Sequence, residues 1–157
     1  MALASEQAVR QAIVAKLKTV TGIGQVYPRY RRPLKQGTEA EFIDLYCDGD
    51  KRVNVWMVRR VQRNPSVDEF NNVIAVVQVY ELLGHYSYVD NDDDGAASET
   101  VFQELIEQIA AVLNEGLGVD GVTHRGLQIP SDITDSLLAE KLCHLAPCRL
   151  IVDVEDC

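Results

Sequence analysis

Apolar residues recur at Val9, Ile13, Leu17 and Val20, with Ala8, Ala12 and Ala15 beside them. Steps of three and four place these residues on one face of an amphipathic helix. Ser5 is suited to cap its start, and Gly22-Ile23-Gly24 reads as its C-cap and turn. Gln25-Val26-Tyr27 opens a short extended stretch. Thr38-Glu39-Ala40-Glu41 has the form of a capping box and predicts a short helix through Tyr46, with Asp48-Gly49-Asp50 as the turn after it.

The period then changes to two. Over residues 51–62, Val53, Val55 and Met57 fall on one side, while Arg52, Asn54, Trp56 and Val58 fall on the other. That alternation predicts a β-strand, broken by Asn64-Pro65-Ser66. Residues 71–88, rich in Val, Ile and Tyr, predict a long second strand, bulged near Gly84 and paired antiparallel to the first through an irregular connection. Ser98 is a candidate N-cap for a helix whose face is traced by Val101, Phe102, Leu105, Ile109, Val112 and Leu113 to about Asn114. Residues 122–129 predict a third strand closed by Pro130, residues 131–136 a loop, and residues 142–154 a last strand. Helices and strands segregate rather than alternate, which predicts an α+β fold. The expected form is one domain over residues 1–157, a mostly antiparallel sheet of about four strands packed against two main helices.

Composition adds one feature that the pattern does not show. The formal net charge of −9 is unevenly divided. Residues 1–63 hold 12 of the 15 Lys and Arg but only 6 of the 24 Asp and Glu, a net of +6; the remainder carries 3 against 18, a net of −15. Two oppositely charged faces suit a subunit that packs head-to-tail against its own copies, although two merely solvated surfaces would look the same in sequence. The apolar-rich run from Val73 to Gly84, interrupted by Gln78 and Glu81, is too short to span a bilayer, and the first residues lack the pattern of a secretory signal. Cys47, Cys143, Cys148 and Cys157 form no C-x-x-C pair, so free thiols in a reducing cytoplasm are expected.

Candidate chemistry is sparse. Asp90, Asp92 and Asp94 followed by Gly95, with Asp93 among them, match the opening of a calcium loop, but Val101 stands where a bidentate glutamate is required. A solvated acidic turn is the better reading; a metal-dependent enzyme built on that turn is the third-ranked one. His85, His144 and the cysteines do not fall at zinc-chelate spacing. Gly22-Ile23-Gly24 has Tyr27 where a dinucleotide fingerprint needs its third glycine, and no nucleophile elbow, phosphate loop or H-E-x-x-H occurs. No catalytic residue, metal ligand or cofactor is assigned. The basic aromatic loop Arg29-Tyr30-Arg31-Arg32, joined by Arg52, Arg59, Arg60 and Arg63, suits either a protein contact or phosphate and base stacking. The overall pI near 4.7 favours the protein contact. Trp56 reads as an interface anchor or as half-buried core.

Four stretches together carry a resemblance. They are the Gly-Ile-Gly-x-Val-Tyr turn running into the basic loop, the strand Asn54-Val55-Trp56-Met57-Val58-Arg59-Arg60, the segment from Tyr80 through Leu83-Gly84-His85-Tyr86 and the acidic turn to the helix around Phe102, and the closing Leu142-Cys143-His144-Leu145-Ala146 strand. In this order they resemble the small tail-terminator, or head–tail neck, proteins of tailed bacteriophages. The resemblance implies a non-enzymatic virion protein, made in the host cytoplasm, that forms a hexameric ring capping the tail tube and joining it to the head connector. DNA would pass through without specific binding, and no membrane is involved. The interface residues expected on this reading are Tyr27, Arg29, Tyr30, Arg31, Arg32, Trp56, Arg59, Arg60, Asp90, Asp92, Asp93 and Asp94. The acidic face either meets a basic face of the next copy or lines the channel. The alternative reading is a small nucleic-acid-binding regulator that uses the loop from Arg29 to Arg32.

Overall fold

The computed structural model describes residues 2–31, 37–88, 96–138 and 140–156. Its elements run α1 (Glu6–Lys18), β1 (Gln25–Tyr27), α2 (Glu39–Tyr46), β2 (Asn54–Val67), β3 (Val73–Ser87), α3 (Ala96–Asn114), β4 (Val122–Gln128), β5 (Thr134–Leu138) and β6 (Lys141–Glu155). The class is α+β, as expected from the pattern. The sheet has six strands rather than about four and is mixed, in the order β1-β2-β3-β6-β4, with β5 on β6 beside β4. All pairs are antiparallel except β1 with β2. Among the described residues no helix is long and apolar enough to cross a membrane.

Caps place the first two helices. Ser5 Oγ accepts from the Ala8 N–H at 3.1 Å, and Thr38 and Glu41 form the reciprocal capping box. The end of α1 differs from expectation: Thr19 is the C-cap, and Gly22, at φ +82°, makes the turn three residues later. Helix α1 buries Val9, Ile13, Val14 and Leu17; α3 buries Phe102, Leu105, Ile106, Ile109 and Leu113. Both pack on one face of the sheet against Trp56, Val58, Tyr80, Leu82, Leu150, Val152 and Val154. Helix α2 lies on the opposite face, where Tyr46 joins Val53, Val55, Met57 and Cys143 in a smaller cluster. Alternation along β2 therefore divides the two cores between neighbouring residues, as the sequence period implies.

Four expectations about strands and caps are corrected. Strand β2 does not stop at Asn64-Pro65-Ser66 but runs to Val67, with Pro65 opposite Val76. Beyond Met57 no described strand lies on the outer edge of β2, so the missing proline N–H costs no ladder bond. The irregularity is not at Gly84, which pairs regularly with Trp56, but in β2 between Arg60 and Gln62, where Val61 is extra. Residues 134–136, expected to belong to a loop over 131–136, instead open β5. Ser98 is not the N-cap of α3 but lies inside its first turn, fully buried. The connection between β2 and β3 is also not irregular but a tight turn, in which Asp68 Oδ1 accepts the N–H groups of Phe70 and Asn72 at 2.8 Å each, with Asn71 at φ 65°.

Three cysteines lie within these cores. Burial pushes the Cys143 thiol up to about 11 and the Cys148 thiol up to about 12, and it raises Cys47 as well. Thiolate is the reactive form, so all three are expected to resist thiol reagents in the folded chain. With Cys157 replaced by Ser, Ellman's reagent should titrate the native protein on the order of a hundred-fold more slowly than the urea-unfolded one. Rapid labelling of any thiol in the folded variant would contradict this packing.

Candidate interaction surface

The basic loop after β1 is anchored by tyrosines of β1, of α2 and of the loop itself. Tyr27 OH donates to the Leu45 carbonyl at 2.8 Å, and Tyr46 OH donates to the Arg31 carbonyl at 2.9 Å. The Arg31 guanidinium lies over the Tyr27 ring, 4.9 Å from its centroid. Tyr30 reaches across the sheet to β3, where its hydroxyl donates to Glu81, and the Arg59 guanidinium stacks on the Tyr30 ring at 3.9 Å. Arg59 also pairs with Glu81 at 3.0 Å. Burial, then the Glu81 contact, raises the Tyr30 hydroxyl well above its ordinary value. Glu81 thus ties Tyr30 and Arg59 into one cluster on the face that carries α2.

The structure brings together Tyr27, Tyr30, Arg31 and Arg59, with Arg29 exposed beside them and Arg60 on the opposite face of β2, 3.4 Å from Gln78 Oε1. Trp56 is not with them. It is fully buried, its ring 5.8 Å from Phe102 and covering Gly84, so it is core rather than an interface anchor. Arg32 and the acidic turn with Asp90, Asp92, Asp93 and Asp94 lie outside the described residues. One face of each of the Tyr27 and Tyr30 rings is already taken by an arginine, Arg31 and Arg59 respectively.

The sheet order converts the uneven charge of the sequence into a spatial one. Strands β1 and β2 form one lateral edge, and β4 and β5 form the other. Arg29, Arg31, Arg59, Arg60 and Arg63 belong to the first edge, with Arg10, Lys16 and Lys18 on α1 beside it. At the far side, α3 carries Glu99, Glu104 and Glu107 and no base, Glu115 follows its end, and Asp132 and Asp135 lie on the β4–β5 side. The separation is not complete. Helix α2 brings Glu39, Glu41 and Asp44 to the basic end, Arg125 stands on β4 at the acidic edge, paired with Asp153 at 2.8 Å, and Lys16 bonds Glu115 at 3.3 Å where α1 meets α3.

Exposed large apolar residues also fall into two groups. Val61, Val67, Phe70, Val73 and Ile74 lie on the β2–β3 hairpin, with Phe70 76% exposed at its turn; Val101, Ile129, Leu137 and Leu142 lie on the acidic side. Sequence reading missed Glu81, Phe70 and a cleft beside α3. The signal for Glu81 was present, because an acid interrupts an otherwise apolar strand.

His144 collects a second set of polar groups. Its Nε2 lies 2.8 Å from Ser98 Oγ, and its Nδ1 lies 3.7 Å from Asp135 Oδ1. The types are those of a Ser–His–Asp triad, but Ser98 has no exposed surface and the imidazole is packed between Tyr88, at 4.2 Å, and Phe102, at 6.2 Å. The arrangement pins the first turn of α3 to β6. Among the described residues no group of three His, Cys, Asp or Glu is placed to hold a metal.

A scan against models of known protein families finds no match for this chain. A search of curated proteins finds none either.

Proposed function

We propose that the chain is a structural subunit of a tailed-phage neck, a tail terminator whose copies close into a ring, hexameric by the resemblance, between tail tube and head connector. The observation that carries this reading is the placement of a basic, arginine-rich edge and an acidic, base-poor edge on opposite lateral sides of one sheet. A closed ring is a heterologous assembly and needs two different, mutually complementary surfaces on every subunit. Charge of opposite sign on the two edges provides attraction and sets the head-to-tail orientation. The sequence resemblance gives the ring its biological place. Tail tube protein and connector protein are then the partners on the two open ends, and DNA passes through the middle.

Light scattering on the purified full-length chain tests the reading. The expected result is one closed oligomer at low salt that dissociates as salt screens the contact, and that binds tail tube protein. A chain that stays monomeric at every concentration and salt, and binds neither tube nor connector protein, would overturn it.

A further inference from the structure

Resting on the ring reading, we infer that neighbouring copies meet where the bulge of β2 faces a cleft beside α3, with Arg60, Val61 and Arg63 of one copy set against Glu99, Glu107 and Asp132 of the next. The cleft lies between the outer face of α3 and the connection from β4 to β5, with a volume of about 340 Å³. Ile106, Ile129 and Ile133 give it an apolar lining, and those three carboxylates surround it; no Lys or Arg lines it. Glu107 and Asp132 have no ion-pair partner among the described residues. An arginine suits such a cleft, because its aliphatic stem packs on isoleucine while its guanidinium reaches carboxylates at the rim.

The complementary surface is the open edge of β2. Val61 is the residue inserted by the bulge and is 41% exposed, between Arg60 and Arg63. Arg63 is exposed and has no partner among the described residues. This base–apolar–base segment matches the acid–apolar–acid cleft in chemistry. A strand-to-strand contact along the same edge is disfavoured, since the bulge interrupts the ladder and Pro65 offers no N–H. Side chains therefore make the contact. The segment and the cleft belong to opposite edges of the sheet, so each copy offers one of each and the contact repeats from copy to copy.

Two full-length variants test it by sedimentation at low salt, with circular dichroism to establish that each is folded. Arg63→Glu reverses the charge of the arm, and the double variant Glu107→Arg with Asp132→Arg reverses the cleft. Each alone is expected to associate about ten-fold or more weakly than the parent chain. An equimolar mixture is expected to reassociate, because the charge-reversed arm of the first variant meets the arginine cleft of the second, and the parental arm of the second meets the parental cleft of the first. If the parent chain assembles and both variants assemble as well as it does, the contact lies elsewhere and the ring reading stands. If the variants weaken but the mixture does not recover, the pairing of these two surfaces is wrong. A parent chain that never assembles removes the inference and the ring reading together.

Discussion

Gly84→Ala is expected to destabilise the fold by about 3 kcal/mol, the upper end of what overpacking a filled core costs. Gly84 sits opposite Trp56 in the ladder between β2 and β3, and the indole lies over it. A Cβ built on Gly84 would stand 2.5, 2.6 and 2.8 Å from three atoms of that ring. The ring cannot swing away. It is fully buried and held against Phe102, which in turn stacks on Tyr86 at 5.7 Å. The glycine is thus required for space, and one methyl group displaces the centre of the main core. A double-mutant cycle separates this cause from a general loss of strand propensity. Trp56→Leu costs stability of its own through lost burial, but it empties the volume above residue 84. Adding Gly84→Ala to Trp56→Leu should then cost less than about 1 kcal/mol in urea denaturation. An equal cost in both backgrounds would show that the ring is not what excludes the methyl group.

The parts of this fold that could be read in advance are those whose cause is local. Ser5 and the Thr38–Glu41 pair satisfy helix N–H groups within a few residues of themselves, so α1 and α2 announce their starts. The alternation along residues 150–154 follows from one-sided burial and survives in the sequence, whereas around Trp56 both faces are buried and the period of two only divides residues between the two cores. What could not be read depends on neighbours distant along the chain. Pro65 breaks a strand only if a partner needs its N–H, and whether β2 is an edge there is decided by β1 ending at Tyr27. Residues 134–136 look like part of a loop because β5 is short, exposed on most of its length and paired only to the start of β6. Ser98 resembles an N-cap in sequence, yet its hydroxyl is directed at His144, 46 residues away.

The candidate interaction surface was legible in the same partial way. Counting charges along the chain found the division, but only the strand order places its halves on opposite edges. Tyr30 and Glu81 stand 51 residues apart and form one contact cluster with Arg59, so the neutralisation of Arg59 by Glu81 could not be counted from sequence. That pairing alters the expected weight of each arginine. Reversing Arg59 leaves Glu81 facing another acid and disturbs the loop through Tyr30, whereas Arg63 projects from the edge with no such tie. Loss of assembly in an Arg59 variant would therefore mix local disruption with lost attraction, and Arg63 is the cleaner probe.

Gly24→Ala is expected to be the more damaging of the two glycine changes, because its obstacle is backbone. A Cβ on Gly24 would lie 2.0 Å from the Asn54 carbonyl oxygen and 2.8 Å from the Asn54 Cβ. Asn54 is nearly fully buried, and its Nδ2 donates to the Gly22 carbonyl at 2.8 Å, so the turn before β1 is strapped to the first residue of β2. Neither chain can yield without parting β1 from β2. The parallel register that pairs Val26 with Trp56 and Tyr27 with Met57 would be lost, and with it the support of the basic loop that begins at Pro28. A cost of about 3 kcal/mol or more is expected, a large share of the total stability of a domain of this size. Native-state hydrogen exchange gives the diagnostic readout: the amides of residues 25–27 should lose protection while those of β3 and β6 keep theirs relative to the global unfolding limit. The assembly proposed through the basic edge should weaken too, since Arg29, Tyr30 and Arg31 would no longer be held beside β2. A Gly24→Ala chain with parental stability and protected β1 amides would show that β1 and the turn before it can move away from β2 at little cost, and the basic edge would then need another support than the one drawn from Asn54.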